Sequence, residues 1–119
     1  MIGKVLNFHL PAGDVDRAAA FYRQVFGWTF TALSEVPPYL VFTTGGSDAP
    51  GIEGAIVKRD AIVQHPIPTI EVDDIDGTMA RLSVSGGQQG AVRDIAGTGR
   101  FGYAIDSEGN VIALLQRAP

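Results

Sequence analysis

The sequence of 119 residues predicts an α+β domain built from two consecutive βαβββ modules, with helices on one face of a sheet. Three observations carry this expectation. The chain repeats itself weakly: setting Asp74 on Asp14 places Thr69 on His9 and Ile67 on Asn7, an offset of 60 residues. Each half opens with a short β-type run, an acidic turn and a helical pattern. Each then continues through three short β-like runs divided by turn residues. Residues 1–119 are read as one domain, with module one at about 4–60 and module two at about 65–117.

In the first module, Leu6-Asn7-Phe8-His9-Leu10 reads as a strand. Asp14 suits a helix N-cap, Asp16 complements the first turn, and Gly27 ends a helix that runs through Phe26. Val15, Ala18, Ala19, Tyr22, Val25 and Phe26 recur at spacings of three and four and make one apolar face. Residues 28–32, 39–44 and 54–59 follow as strands, with Pro37-Pro38 and Gly45-Gly46 as breakers. In the second module, 67–72 is the strand and Asp74 the cap. Ile75, Met79 and Leu82 form the helical stripe through Val84, and Gly86-Gly87 stops it. Gly77 weakens that helix by about 1 kcal/mol relative to alanine. Strands at 90–94, 101–106 and 111–116 complete the module, the last two joined by a tight turn at Glu108-Gly109-Asn110.

Alternation along a strand assigns faces. Leu6, Phe8 and Leu10 point toward a helix, and Val5, Asn7 and His9 point away from it. In the second module Ile70 and Val72 share a face with Pro66 and Pro68, while His65, Ile67, Thr69 and Glu71 share the other. Both halves thus carry a semi-polar sheet face of the kind that lines a cleft.

Hydrophobic residues make up 45% of the chain and charged residues 18%, enough to bury a core. A net charge of −4 argues against nucleic acid or an anionic membrane as partner, since either needs a basic footprint. The absence of cysteine excludes disulfides, a thiolate nucleophile and sulfur-ligated zinc. The first residues lack a signal-peptide apolar region, and no apolar run reaches the ~18 residues a membrane span needs. A cytoplasmic protein is expected.

The stretch Asp14-Val15-Asp16-Arg17-Ala18-Ala19-Ala20-Phe21-Tyr22, leading to Val25-Phe26-Gly27-Trp28, resembles the vicinal oxygen chelate superfamily of glyoxalases, bleomycin-resistance proteins and extradiol dioxygenases. Val72-Asp73-Asp74-Ile75-Asp76 and Asp106-Ser107-Glu108-Gly109-Asn110-Val111-Ile112 resemble its second-module signatures. The resemblance implies a curved mixed sheet around a cleft, helices on the outer face, and a homodimer. In metal-dependent members, His or Glu ligands lie near the middle of each module's first strand and in each module's last strand. Carried over, these positions fall on Asn7, a residue within 54–58, Ile67 and Ala113. Ile67 and Ala113 have no donor atom and Asn7 is a weak neutral ligand, so neither a metal nor another cofactor is expected. His9 lies two residues after Asn7 and His65 two before Ile67. A site relocated onto them would sit roughly 6.6 Å along each strand.

Gly97-Thr98-Gly99-Arg100-Phe101-Gly102 spells G-x-G-x-x-G but runs into a β-like segment, so it reads as a mobile glycine loop rather than a dinucleotide fingerprint. Arg100 on that loop is a candidate contact for an anionic ligand group. The acidic clusters at helix starts read as caps, and Glu71 as either a rim residue or a buried acid with a raised pKa. Phe21, Tyr22, Phe26, Trp28 and Phe30 read as core and inter-element packing rather than a ligand cage, while Tyr39 and Tyr103 are placed to line the cleft. No nucleophile elbow or triad is present.

Two functions follow. The first is a metal-independent binder of a small apolar or aromatic molecule, with polar contacts from Asn7, His9, Thr69, Tyr103 and Arg100. The second is a lyase, isomerase or dioxygenase with a relocated metal, or with His9 as acid/base.

Overall fold

A computed structural model describes residues 2–35, 38–45 and 51–119. It contains β1 (Val5–Ala12), α1 (Val15–Phe26), β2 (Thr29–Glu35), β3 (Pro38–Thr43), β4 (Gly54–Lys58), β5 (Ile67–Glu71), α2 (Ile75–Val84), β6 (Gln88–Ile95), β7 (Gly99–Ile105) and β8 (Val111–Arg117). Eight strands in mixed parallel and antiparallel pairing with two helices make the expected α+β class. Of the expected breakers, Pro37 and Gly46 lie outside the described residues. The chain divides into two compact units, Asn7–Ile67 and a second made of Met1–Leu6 with Pro68–Pro119.

In the first unit the strand order is β2-β3-β4-β1, with β1 parallel to β4 and the other pairs antiparallel. Asp14 caps α1 by accepting from Arg17 N at 3.0 Å, and Gly27 closes it with φ 73°. Phe8, Leu10 and Ala12 alternate toward α1 and pack with Val15, Ala19, Phe42 and Ile56. Tyr22 stacks on Trp28 (4.5 Å between ring centroids), and Trp28 on Phe42 (4.6 Å). Gly54 lets β4 approach this stack, because a Cβ there would run into Phe8 O and lie 2.7 Å from Phe42 Cζ. The core expectation fails for one ring: Phe21 is 54% exposed, because the helical turn that buries Val15 and Ala19 rotates it toward solvent. Phe26, in the last position of α1 on the Val15 and Ala19 face, is 60% exposed but packs its ring 6.0 Å from those of Tyr22 and Trp28.

The second unit repeats the plan in the order β5-β8-β7-β6, with β5 parallel to β8. Gly3 N donates to Glu71 O at 2.7 Å and Glu71 N to Lys4 O at 2.8 Å, which ties the chain's start to β5. Ile70, Val72, Ile75, Met79, Ala104 and Leu114 form the core under α2. Asp74 caps α2 through Gly77 N at 3.1 Å, and Gln116 Oε1 accepts from Ile75 N at 2.8 Å. A Cβ on residue 77 would collide with the Asp74 carboxylate, so this glycine makes room for the cap as well as weakening the helix. The Glu108-Gly109-Asn110 turn closes around Asp106, whose carboxylate accepts from Glu108 N at 2.8 Å and Asn110 N at 2.9 Å.

Two expectations need correction. The glycine segment is a hairpin rather than a mobile loop: Thr98 N donates to Ile95 O, and Gly99 already belongs to β7. His65 and Pro66 precede β5, which starts at Ile67, so His65 does not share a strand face with Thr69.

Candidate functional site

Because Phe8 and Leu10 face α1, alternation turns Asn7, His9 and Pro11 to the opposite face of the first unit. The parallel register sets Ala55 beside His9 and Val57 beside Pro11, and β3 then places Val41 opposite Ala55 and Tyr39 opposite Val57. The Tyr39 and His9 rings meet edge to face at 5.7 Å, and Tyr39 Oη shares a 3.2 Å hydrogen bond with His9 Nε2. His9 is only 6% exposed. Burial pushes its pKa below 6.5 and that of Tyr39 above 10, so both groups are uncharged at neutral pH. Asn7 Oδ1 is buried beside them with no hydrogen-bond partner among the described residues.

The second unit has a corresponding face. Register aligns Thr69, Ala113 and Tyr103 in one cross-strand row, with Phe101 opposite Leu115. Tyr103 and Phe101 pack edge to face at 5.1 Å. Thr69 Oγ1 is buried and has no partner among the described residues. Arg117 grips Glu71 with both arms, Nε to Oε2 at 2.7 Å and Nη2 to Oε1 at 3.0 Å. That guanidinium lowers the Glu71 pKa, which removes the raised-pKa alternative.

Other sequence candidates lie elsewhere. Arg100 alternates with Tyr103 and reaches the α2 side, where it donates to Asp76 at 2.6 and 3.3 Å and to Asp94 at 3.2 Å. Its charge is already met by carboxylates, which removes the reason for choosing it as a ligand contact. His65 is exposed in a bend and lines a depression beside α1. Sequence reasoning named Tyr39 but missed its pairing with His9, and it missed Gln116 and Arg117. All three depend on strand register, which no local pattern encodes.

Residues 4–45 match the model of the family "Bleomycin resistance protein-like N-terminal". The chain is 33% identical over 124 residues to a glyoxylase-like domain-containing protein of Didymella fabae, covering 97% of this chain and 94% of the relative. The chain belongs to the vicinal oxygen chelate superfamily, in its glyoxalase and bleomycin-resistance group. It is also 27% identical to a Vibrio parahaemolyticus protein named "Probable lactoylglutathione lyase", over 96% of this chain and 91% of that one. The solved methylmalonyl-CoA epimerase of Mycobacterium tuberculosis shares the fold, with TM-score 0.66, 19% identity, and coverage of 99% of this chain and 91% of that one.

The metal positions of this superfamily can be tested against the side chains present. Ile67 is 1% exposed and Ala113 fully buried, and both offer only carbon. In β4 the residues on the His9 face are Ala55 and Val57, again without donors. Among the described residues no group of three or more His, Asp or Glu side chains is gathered to hold an ion. At three of the four inherited positions the side chains thus offer no donor to a divalent metal, and Asn7 is a weak neutral one.

Proposed function

We propose that the protein binds a small apolar or aromatic molecule without a metal, on the strand face that carries Asn7, His9 and Tyr39. Thr69 and Tyr103 supply the corresponding polar contacts of the second unit. The observation that carries this reading is the buried Asn7 Oδ1, an acceptor with no partner among the described residues. A buried polar atom left unpaired costs about 1–3 kcal/mol, and a ligand donor at Asn7 relieves that cost. The surrounding Val41, Ala55 and Val57 give the apolar lining that such pockets combine with a few fixed polar groups. The reading includes a cytoplasmic homodimer with no nucleic-acid or membrane partner; among the described residues no helix is long and apolar enough to cross a membrane. Sedimentation analysis tests the dimer.

The test is elemental analysis of protein purified without chelator, followed by a calorimetric screen of aromatic ligands. The expected result is no stoichiometric nickel, zinc, iron or manganese, and a ligand whose affinity falls about tenfold in Asn7→Leu. Stoichiometric metal lost in His9→Ala overturns the reading in favour of a relocated metal site.

A second reading, lyase or isomerase chemistry by acid/base catalysis, is favoured by the hydrogen bond between His9 and Tyr39. A neutral imidazole at pH 7 can take up a proton, and a protonated phenol can fix its ring or donate to a carbonyl oxygen. Turnover abolished in His9→Gln and reduced in Tyr39→Phe would select it.

A further inference from the structure

On the other side of the same sheet, where the strands meet the start of α1, lies a depression of about 640 Å³. That is the size of a small-molecule pocket. Its floor is apolar, formed by the partly exposed Leu10, Ala18 and Tyr22 over the buried Ile56, and the exposed Phe21 ring stands at its rim. The rim is otherwise cationic. Arg17 and Arg59 both line it, and the one acidic lining residue, Asp14, already caps α1 through Arg17 N. The Arg17 guanidinium makes no ion pair or hydrogen bond among the described residues, and Arg59 uses only Nη2, donating to Pro11 O at 3.2 Å. Asp60, next in the chain, is occupied by Ile62 N at 2.8 Å and Val63 N at 2.7 Å. Two arginines are therefore left with open donors above an apolar floor, in a chain whose overall charge is −4.

We propose that this depression is a second binding site, for a small organic carboxylate with an apolar body. The ring or alkyl body lies on Leu10, Ala18 and Tyr22 and against Phe21, while the carboxylate takes charge-assisted hydrogen bonds from Arg17 and Arg59. Its proposed ligand contacts differ from those on the Asn7 and His9 face, so each site can fail without the other.

The test uses phenylacetate and its neutral counterpart phenylacetamide, titrated into ¹⁵N-labelled protein and followed by amide shifts. Phenylacetate is expected to shift amides at 13–18, 59 and 64–65 saturably, and phenylacetamide to bind about tenfold more weakly. Arg17→Gln, which removes no side-chain hydrogen bond or ion pair among the described residues, and Arg59→Gln are each expected to weaken phenylacetate about tenfold, and Asn7→Leu to leave it unchanged. No saturable shift up to roughly 10 mM, equal binding of the amide, or shifts confined to residues 7, 9 and 39 would overturn the proposal.

Discussion

In the unit spanning Asn7–Ile67 the helix is held by stacked rings, Tyr22 on Trp28 on Phe42. In the unit from Pro68 onward, Ile70, Val72, Ile75, Met79 and Leu114 hold the helix with aliphatic chains. The frames nevertheless match: an aspartate caps each helix, a parallel pair of strands lies in each unit, and two antiparallel neighbours complete it. The faces turned from the helices have diverged further. One carries a hydrogen-bonded His9–Tyr39 pair, the other a Thr69–Ala113–Tyr103 row with the Glu71–Arg117 ion pair on the same strands. Alternation and capping constrain the helix side, because losing either exposes the core. The opposite side also buries Ala55, Ile67 and Ala113 but packs no helix, and it is where the polar groups of the two units differ.

The largest expected effect breaks or sharpens the difference in cores. Phe42→Ala removes a fully buried ring that touches Phe8, Trp28 and Phe30, and is expected to cost about 3–5 kcal/mol. Leu114→Ala in the second unit is expected to cost less, about 2–3 kcal/mol, because the flexible Met79 of the same cluster can move into part of the space. Urea denaturation of both variants decides the matter. A larger loss for Leu114→Ala would mean that the ring stack is not the stiffer core.

Much of this frame is written locally. Asp14 with Gly27, and Asp74 with the Gly86-Gly87 stop, mark both helices, and the spacing between the caps reveals the duplication. Alternation in β1 alone assigns Asn7 and His9 to the face away from α1. Register is another matter. That Tyr39 reaches His9, that Gln116 caps α2 and that Arg117 holds Glu71 follow from pairings between residues 30, 41 and 46 apart. The sequence pattern of Gly97 to Gly102 suggested a loop, whereas pairing with β6 and β8 makes most of it a strand. Likewise Phe21 looked like core by residue type, and only the orientation of α1 shows it at a rim.

The two units are also expected to respond to acid in different windows. Burial lowers the His9 pKa below 6.5, so the unfolded chain takes up a proton first as pH falls through 6.5. Stability contributed by neutral His9 is therefore present above that pH and is lost on the way down, by at most about 1.4 kcal/mol per pH unit. In the second unit, Glu71 and Asp76 are held low by Arg117 and Arg100, and Asp106 by its turn hydrogen bonds. Their contribution is present above their unfolded values of 4.5, 3.8 and 3.8 and is lost only as pH falls through and below these. Denaturation midpoints measured from pH 7.5 downward should show two descending limbs, and His9→Gln should flatten the upper one while leaving the lower intact. An unchanged upper limb would remove His9 as its source.

The smallest expected change runs against the usual direction. Thr69 is 2% exposed and its Oγ1 has no partner among the described residues, so the ligand-free fold carries the desolvation of a hydroxyl with no bond to offset it. Valine has nearly the same shape and no polar atom. Thr69→Val is accordingly expected to stabilise the ligand-free protein by about 1 kcal/mol, read as a higher urea midpoint at unchanged slope. The corresponding change on the first unit, Tyr39→Phe, removes a hydroxyl that is bonded to His9 and is expected to destabilise by about 1 kcal/mol. Opposite signs for the two hydroxyl deletions would mean that the Tyr39 hydroxyl is satisfied by His9 while the Thr69 hydroxyl is left waiting for a ligand. If Thr69→Val also destabilised, the hydroxyl would already be bonded in the free protein, through an ordered water or otherwise, and Thr69 would lose its claim as a ligand contact.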